Sequence, residues 1–175
     1  MRRRLLFAAA AAAGLVGCAA PTPADYAQQT PLLELKTYFD GELVAHGIFT
    51  DRSGAVKRRF TVAMKASWTG DDGVLEEDFR YSDGATERRV WRLKRLPDGR
   101  YTGRADDVLG EAEGRAAGNA LNWRYTLKLP VDGRVWEIDF DDWMFLVDDQ
   151  VMINRAVMSK YGIHLGDVTL SFYKR

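Results

Sequence analysis

Beyond Gly41 apolar side chains fall at every second position, run after run, and glycine-bearing turns separate the runs. A chain patterned this way buries one face of each segment and wets the other, which is the pattern of antiparallel β-sheet. Phe60, Val62, Met64, Ala66 and Trp68 alternate with Arg59, Thr61, Lys65 and Ser67. Leu121, Trp123, Tyr125, Leu127 and Leu129 alternate with Asn122, Arg124, Thr126 and Lys128, and Val168, Leu170 and Phe172 repeat the pattern near the end. Ser82-Asp83-Gly84, Pro97-Asp98-Gly99 and Asp132-Gly133 are hairpin loops by chemistry, because glycine supplies the positive φ that tight hairpins need. The spacing predicts about nine to eleven strands. No long amphipathic helix interrupts them; Leu32 to Lys36 offers only a short helical turn or extended segment. Consecutive hairpins favour an up-and-down meander, and closing it into a barrel removes the exposed edges. The small-residue run Gly110, Ala112, Gly114 and Ala116 suits a tightly curved part of such a barrel. An open curved sheet or a sandwich is the alternative.

The N-terminus reads as an address. Arg2, Arg3 and Arg4 precede an alanine-rich apolar stretch from Leu5 to Val16 that is too short to span a bilayer. Leu15-Val16-Gly17-Cys18 follows, and Cys18 is the only cysteine of the 175 residues. The segment resembles the lipobox of bacterial lipoproteins, which implies a signal peptide over 1–17, acylation of Cys18 and a membrane partner reached through that lipid. An ordinary signal peptide with an incidental cysteine is the other reading. Ala19, rather than aspartate, after the cysteine implies an outer-membrane lipoprotein facing the periplasm. Residues 18–31, with Pro21 and Pro23, read as the lipidated cysteine and a flexible tether, leaving 32–175 as the barrel domain.

Charge excludes other classes. Lysine and arginine total 25, as do aspartate and glutamate, so no basic footprint for nucleic acid exists. Arg88, Arg92, Lys94, Arg100 and Arg104 lie on non-core faces, where a lipid-facing band would not tolerate them, so the barrel is not expected to span the membrane. One thiol can form neither an internal disulfide nor a multi-cysteine metal site. His46 and His164 stand in no metal-binding spacing, and no nucleophile elbow is present. No cofactor is expected. Asp139, Asp141, Asp142, Asp148 and Asp149 carry oxygens that calcium could use, but without the D-x-D-x-D-G order of a calcium loop; solvated acids at strand ends are the simpler reading.

Asp51-Arg52-Ser53-Gly54, Glu77-Asp78-Phe79, Tyr81-Ser82-Asp83-Gly84, Arg89-Val90-Trp91, Ala105-Asp106-Asp107-Val108, Gly118-Asn119-Ala120, Asp142-Trp143-Met144 and Asn154 through Lys160 occur in that order. Together they resemble an uncharacterised family of proteobacterial lipoproteins, a domain of unknown function, across the whole body from Phe39 to Phe172. The resemblance implies no activity; the family's association with enzymes that modify fatty acyl chains implies a lipid-related role. The expected barrel is lipocalin-like (calycin-type) in architecture. Gly47-Ile48-Phe49 stands where lipocalins carry G-x-W, so only the architecture is implied.

One row of charges stands out. The loop at Ser82-Asp83-Gly84 pairs Tyr81 with Ala85, and hence Glu77 with Arg89 and Leu75 with Trp91. The loop at Pro97-Asp98-Gly99 pairs Leu93 with Gly103 and Arg89 with Asp107. Leu75, Phe79, Trp91, Leu93 and Tyr101 share that face, so it is the interior, and an acid–base–acid row crosses it. Such a row either fixes strand register as a buried ion network or contacts a ligand, with Arg89 gripping an anionic group or the extra acid acting as a general base. Trp91, Trp123 and Tyr125, with Trp68 and Phe140, line the same interior. Trp123, Tyr125, Leu127 and Leu129 are expected to face inward opposite Trp136, Ile138 and Phe140. The interior is either filled, or hollow enough to hold a hydrophobic small molecule such as a fatty acyl chain. The leading reading is a membrane-anchored binding protein for such a ligand or for envelope lipid handling. A scaffold with a filled core, and a lipid-modifying enzyme using interior acids, are the alternatives.

Overall fold

In a computed structural model describing residues 20–131 and 133–175, ten antiparallel strands form one closed up-and-down barrel. They are β1 (Gly41–Asp51), β2 (Val56–Thr69), β3 (Asp72–Tyr81), β4 (Thr86–Arg95), β5 (Arg100–Arg104), β6 (Ala112–Ala117), β7 (Ala120–Val131), β8 (Arg134–Leu146), β9 (Val151–Lys160) and β10 (Ile163–Lys174). Each pairs with its sequence neighbours, and β10 closes on β1 from Leu43↔Lys174 to Asp51↔Gly166. The all-β meander expected from the alternation is what forms, and it closes into a barrel.

The loop chemistry sets the register. Gly84 and Gly99 sit at φ of 86° and 79°, each closing a three-residue hairpin in which Tyr81 N–H donates to the Ala85 carbonyl and Leu96 N–H to that of Arg100. Glu77 therefore faces Arg89 and Leu75 faces Trp91, while Leu93 faces Gly103. The β4–β5 ladder then ends at Arg92↔Arg104, short of Asp107. Residues 105–111 leave the sheet and lean across it, with Val108 bridging to Leu127 and the Asp107 carbonyl accepting from Lys128 N–H.

Small residues on β5 and β6 have a packing reason. A Cβ added to Gly103 would lie 2.7 Å from the Trp123 ring, and one on Gly114 would overlap that ring. The two glycines form the slot in which Trp123 lies, 5% exposed and edge-on to Trp91 at 5.8 Å.

One end of the barrel is plugged. A single helical turn, α1 (Leu35–Tyr38), inserts Leu35, Tyr38 and Phe39 into the core. Tyr38 donates to the Gln150 carbonyl, Lys36 to Gly70 and Lys174 to Thr37, so the plug is tied to three surrounding segments. The preceding stretch, expected to be a flexible tether, is docked instead. Pro23–Tyr26 form a 3-10 turn on the outer wall, where Tyr26 meets Trp143 and Phe145 at 5.6 and 5.1 Å, and Leu33 N–H donates to Gly118. An aromatic side chain with an apolar seat outweighs the tether composition of its neighbours. Cys18 and the 1–17 segment lie outside the described residues.

Trp136 departs from expectation. It pairs with Leu129 as the register requires, as Ile138 does with Leu127 and Phe140 with Tyr125. Yet Trp136 is 41% exposed, with the Lys160 ammonium 5.0 Å from its ring. Parity gives it the inward face, but β7 and β8 overrun the last packed layer at the open end.

Candidate functional site

The interior is hollow. A cavity of about 160 Å³ runs from Leu35 and Phe39 of the plugged end towards Phe49, Phe60 and Tyr81 at the other. Aromatic and aliphatic side chains share its wall: Trp91 meets Tyr125 edge-on at 5.4 Å, and Tyr125 stacks on Phe140 at 5.1 Å. Five of the six residues singled out in the sequence line it, and the sixth, Asp107, lies beside it on the segment outside the ladder, partly exposed. Trp91 and Trp123 are buried, Tyr125 is half-buried against the cavity, and Glu77, Arg89 and Asp107 form the expected row.

The row is held chiefly at its Asp107 side. Arg89 Nε donates to Asp107 Oδ2 at 2.8 Å and its Nη2 lies 2.7 Å from the same oxygen. Glu77 is 3.7 Å from Nη1, and Glu87 accepts from Nη2 at 3.4 Å. Glu87 also accepts from Tyr81 Oη at 2.8 Å. One guanidinium thus faces three carboxylates. Burial works against its charge, but Glu77 and Asp107 outweigh it and hold Arg89 firmly protonated. Nε and Nη2 are thus engaged by Asp107 and Glu87, while Nη1, 3.7 Å from Glu77, makes no hydrogen bond among the described residues, so of the expected grip on an anionic group only that nitrogen is left.

Asp142, which the sequence groups with solvated acids at strand ends, is a buried residue of the site. It pairs across β7 with Trp123 and lies 6% exposed on the cavity wall. Tyr125 Oη donates to its Oδ2 at 3.3 Å, while its Oδ1 is enclosed without a partner. Burial pushes the Asp142 carboxyl up to about 8, opposed in part by the Tyr125 hydrogen bond. Burial likewise raises Glu77 to about 7, against the pull of Arg89 and of the Trp91 indole N–H, 3.2 Å away. Tyr125 is driven well above its ordinary value by burial and by the Asp142 charge. The signal was in the sequence: Ile138, Phe140, Asp142 and Met144 continue one alternating face.

The other acids of that region do not converge. Asp139 accepts from Thr126 and Asp141 pairs with Arg124 on the outer face, while Asp148 caps its own turn through Gln150 and Val151 N–H. Alternation divides 139, 141 and 142 between the two faces, so these oxygens cannot jointly surround a calcium ion. Among the described residues no group of three His, Cys, Asp or Glu side chains is placed to hold a metal. His46 is exposed on β1, and His164 lies 3.2 Å from Asp167.

Fold and interior together define a closed ten-stranded up-and-down barrel with a small cavity and two buried acids on its wall. The family model described as "Protein of unknown function (DUF3833)" matches residues 12–174, and the chain belongs to that family. No curated protein matches the sequence. Among solved structures it is similar to the S-type phycobiliprotein lyase CPES from Guillardia theta, at 4% identity and a TM-score of 0.60, covering 79% of this chain and 89% of that one. It is also similar to a protein of unknown function from the DUF3598 family of Nostoc punctiforme, at 10% identity and a TM-score of 0.52. That match covers 84% of this chain but 51% of the other, so the chain spans about half its length. At these identities the likeness is one of fold.

Proposed function

We propose that this protein is a membrane-anchored binding protein, tethered by lipid on Cys18 at the outer membrane and facing the periplasm, that holds a small hydrophobic molecule in its barrel. The observation that carries the binding half is the cavity. Ten strands leave about 160 Å³ between aromatic and aliphatic walls, where a filled core would have left none. That space is smaller than the roughly 300–1,000 Å³ of drug-sized pockets and close to the roughly 150 Å³ that accepts a benzene ring. It suits an aromatic ring or a short length of acyl chain, the remainder of the molecule emerging between Tyr81 and Phe49. A fold like that of a phycobiliprotein lyase is compatible with this reading.

The anchoring half rests on the lipobox and on reach. From Cys18 to Pro23 the chain extends at most about 18 Å, and the turn at Pro23–Tyr26 packs beside the Gly118 turn at the plugged end. Lipid on Cys18 therefore holds the α1 end near the bilayer, and the mouth looks away from it, towards the aqueous side.

Full-length protein taken from its own membranes and sprayed natively should carry a small apolar molecule that denaturation releases. Ala156 lines the cavity and is 2% exposed; Ala156→Leu should lower that occupancy. Wild type and variant free of any small molecule, and equally unable to take one up, would sink the binding half.

A further inference from the structure

The wall of the cavity says which chemistry its occupant brings. Around the acids of the cavity wall and rim, Arg89 Nε and Nη2 donate to Asp107 and Glu87, Tyr81 to Glu87, the Trp91 indole to Glu77, and Tyr125 to Asp142, while Arg89 Nη1 lies 3.7 Å from Glu77 without a hydrogen bond. At Asp142 acceptor capacity remains. Asp142 uses one oxygen while Oδ1 is enclosed and unpartnered, and once ionised it would accept there from a donor that a ligand brings. Buried polar atoms without a partner are rare in native proteins, and such an atom on a cavity wall points to a group that arrives with the ligand.

Charge says the same. Of the acids near Arg89, Glu77 and Asp142 are buried, Asp107 is partly exposed and Glu87 exposed. Arg89 pairs with Glu77, Glu87 and Asp107 and not with Asp142, which among the described residues is the buried acid without a cation beside it. An anionic ligand would meet those acids with only Nη1 of Arg89 left to it. A cation would be drawn in, the more strongly for the low dielectric of the barrel.

We propose that the ligand is an apolar amine, its hydrocarbon body among Trp91, Tyr125 and Phe140 and its ammonium donating to Asp142. This deepens the binding reading above and rests on it. The volume sets the size: about one ring with a short arm, since a cavity of roughly 150 Å³ accepts a benzene ring. Burial raises the Asp142 carboxyl, and an ammonium beside it would favour its ionised form.

Three matched probes test it: 3-phenylpropylamine, 3-phenylpropanol and 3-phenylpropionic acid, titrated calorimetrically into the full-length lipidated chain in nanodiscs, with empty nanodiscs as blank. The amine should bind about tenfold or more tighter than the alcohol, and the acid most weakly. Asp142→Asn keeps the shape and removes the charge, so it should bring the amine down to the level of the alcohol. The acid equalling the amine, or an amine preference that survives in Asp142→Asn, would overturn the assignment. The wild-type series decides the matter even if the variant misfolds. Alcohol binding without an amine advantage would overturn this inference alone; no binding of any of the three would overturn the cavity reading and this one with it.

Discussion

Arg89→Met gives the interior charge row its most exacting test, because its effect must change with pH in a calculable way. Wild-type Glu77 is displaced from 4.5 to about 7. With about 1.4 kcal/mol per unit, that displacement already destabilises the fold by about 3 kcal/mol above neutrality, and below it the carboxyl is simply protonated. Removing the guanidinium drives Glu77 higher still. At pH 7 the acid answers by keeping its proton, so the further loss there is under about 1 kcal/mol, plus about 1 kcal/mol for the partly exposed pairing with Asp107. Above neutrality the wild-type carboxylate is ionised beside Arg89 and its contribution levels off. In the variant the proton must still be held against rising pH, and the difference grows by about 1.4 kcal/mol per unit. The expected loss is about 1–2 kcal/mol near neutrality and about 4 kcal/mol near pH 9, in the range for breaking a buried ion pair. Urea unfolding of both proteins at several pH values between about 6 and 9 reads this directly, with m-values confirming that the denatured states are comparable. A loss that stays the same across that interval would refute the placement of Glu77 in a dry interior against Arg89.

Asp142 and Glu77 together predict that wild-type stability falls as pH climbs from their ordinary values, 3.8 and 4.5, towards about 8 and about 7, and levels off beyond. Their folded-state values are raised, so the neutral forms are the native ones, and Asp142→Asn should flatten the upper part of that fall in the same unfolding series. Trp123→Ala should destabilise by roughly 3–5 kcal/mol, since it empties the slot built by Gly103 and Gly114; a change within error in chemical unfolding would place that ring at the surface. Gly114→Val thrusts a side chain into the same ring and should lower stability by about 1–3 kcal/mol by overpacking, seen as a reduced melting temperature. Metabolic labelling with a palmitate analogue should mark the wild type and not Cys18→Ser; equal labelling of both would remove the anchor.

The register is legible in the sequence because it depends on little. Two three-residue loops ending in glycine fix where β3, β4 and β5 align, and alternation then carries Glu77, Arg89, Leu75 and Trp91 to one face. The same parity rule holds for Trp136 but says nothing of depth, and at the end of β8 the inward face is wet. Asp142 was hidden for the opposite reason. Its neighbours Asp139 and Asp141 are solvent-facing acids, and a local cluster of carboxylates reads as a solvated edge although one member continues the row of Ile138 and Phe140. The docked turn at Pro23–Tyr26 and the plug at Leu35–Tyr38 are too short to show a helical period. Their positions come from single aromatic and leucine side chains finding seats on the barrel, which no local pattern encodes.

The central claim is that the space inside the barrel is real and apolar. Crystals of the full-length protein under xenon pressure test it most directly, since xenon enters dry hydrocarbon-lined cavities and few other places. Anomalous density is predicted inside the ring of Trp91, Trp123, Tyr125 and Phe140. An interior closed over by those rings, with xenon absent from it, would contradict the account.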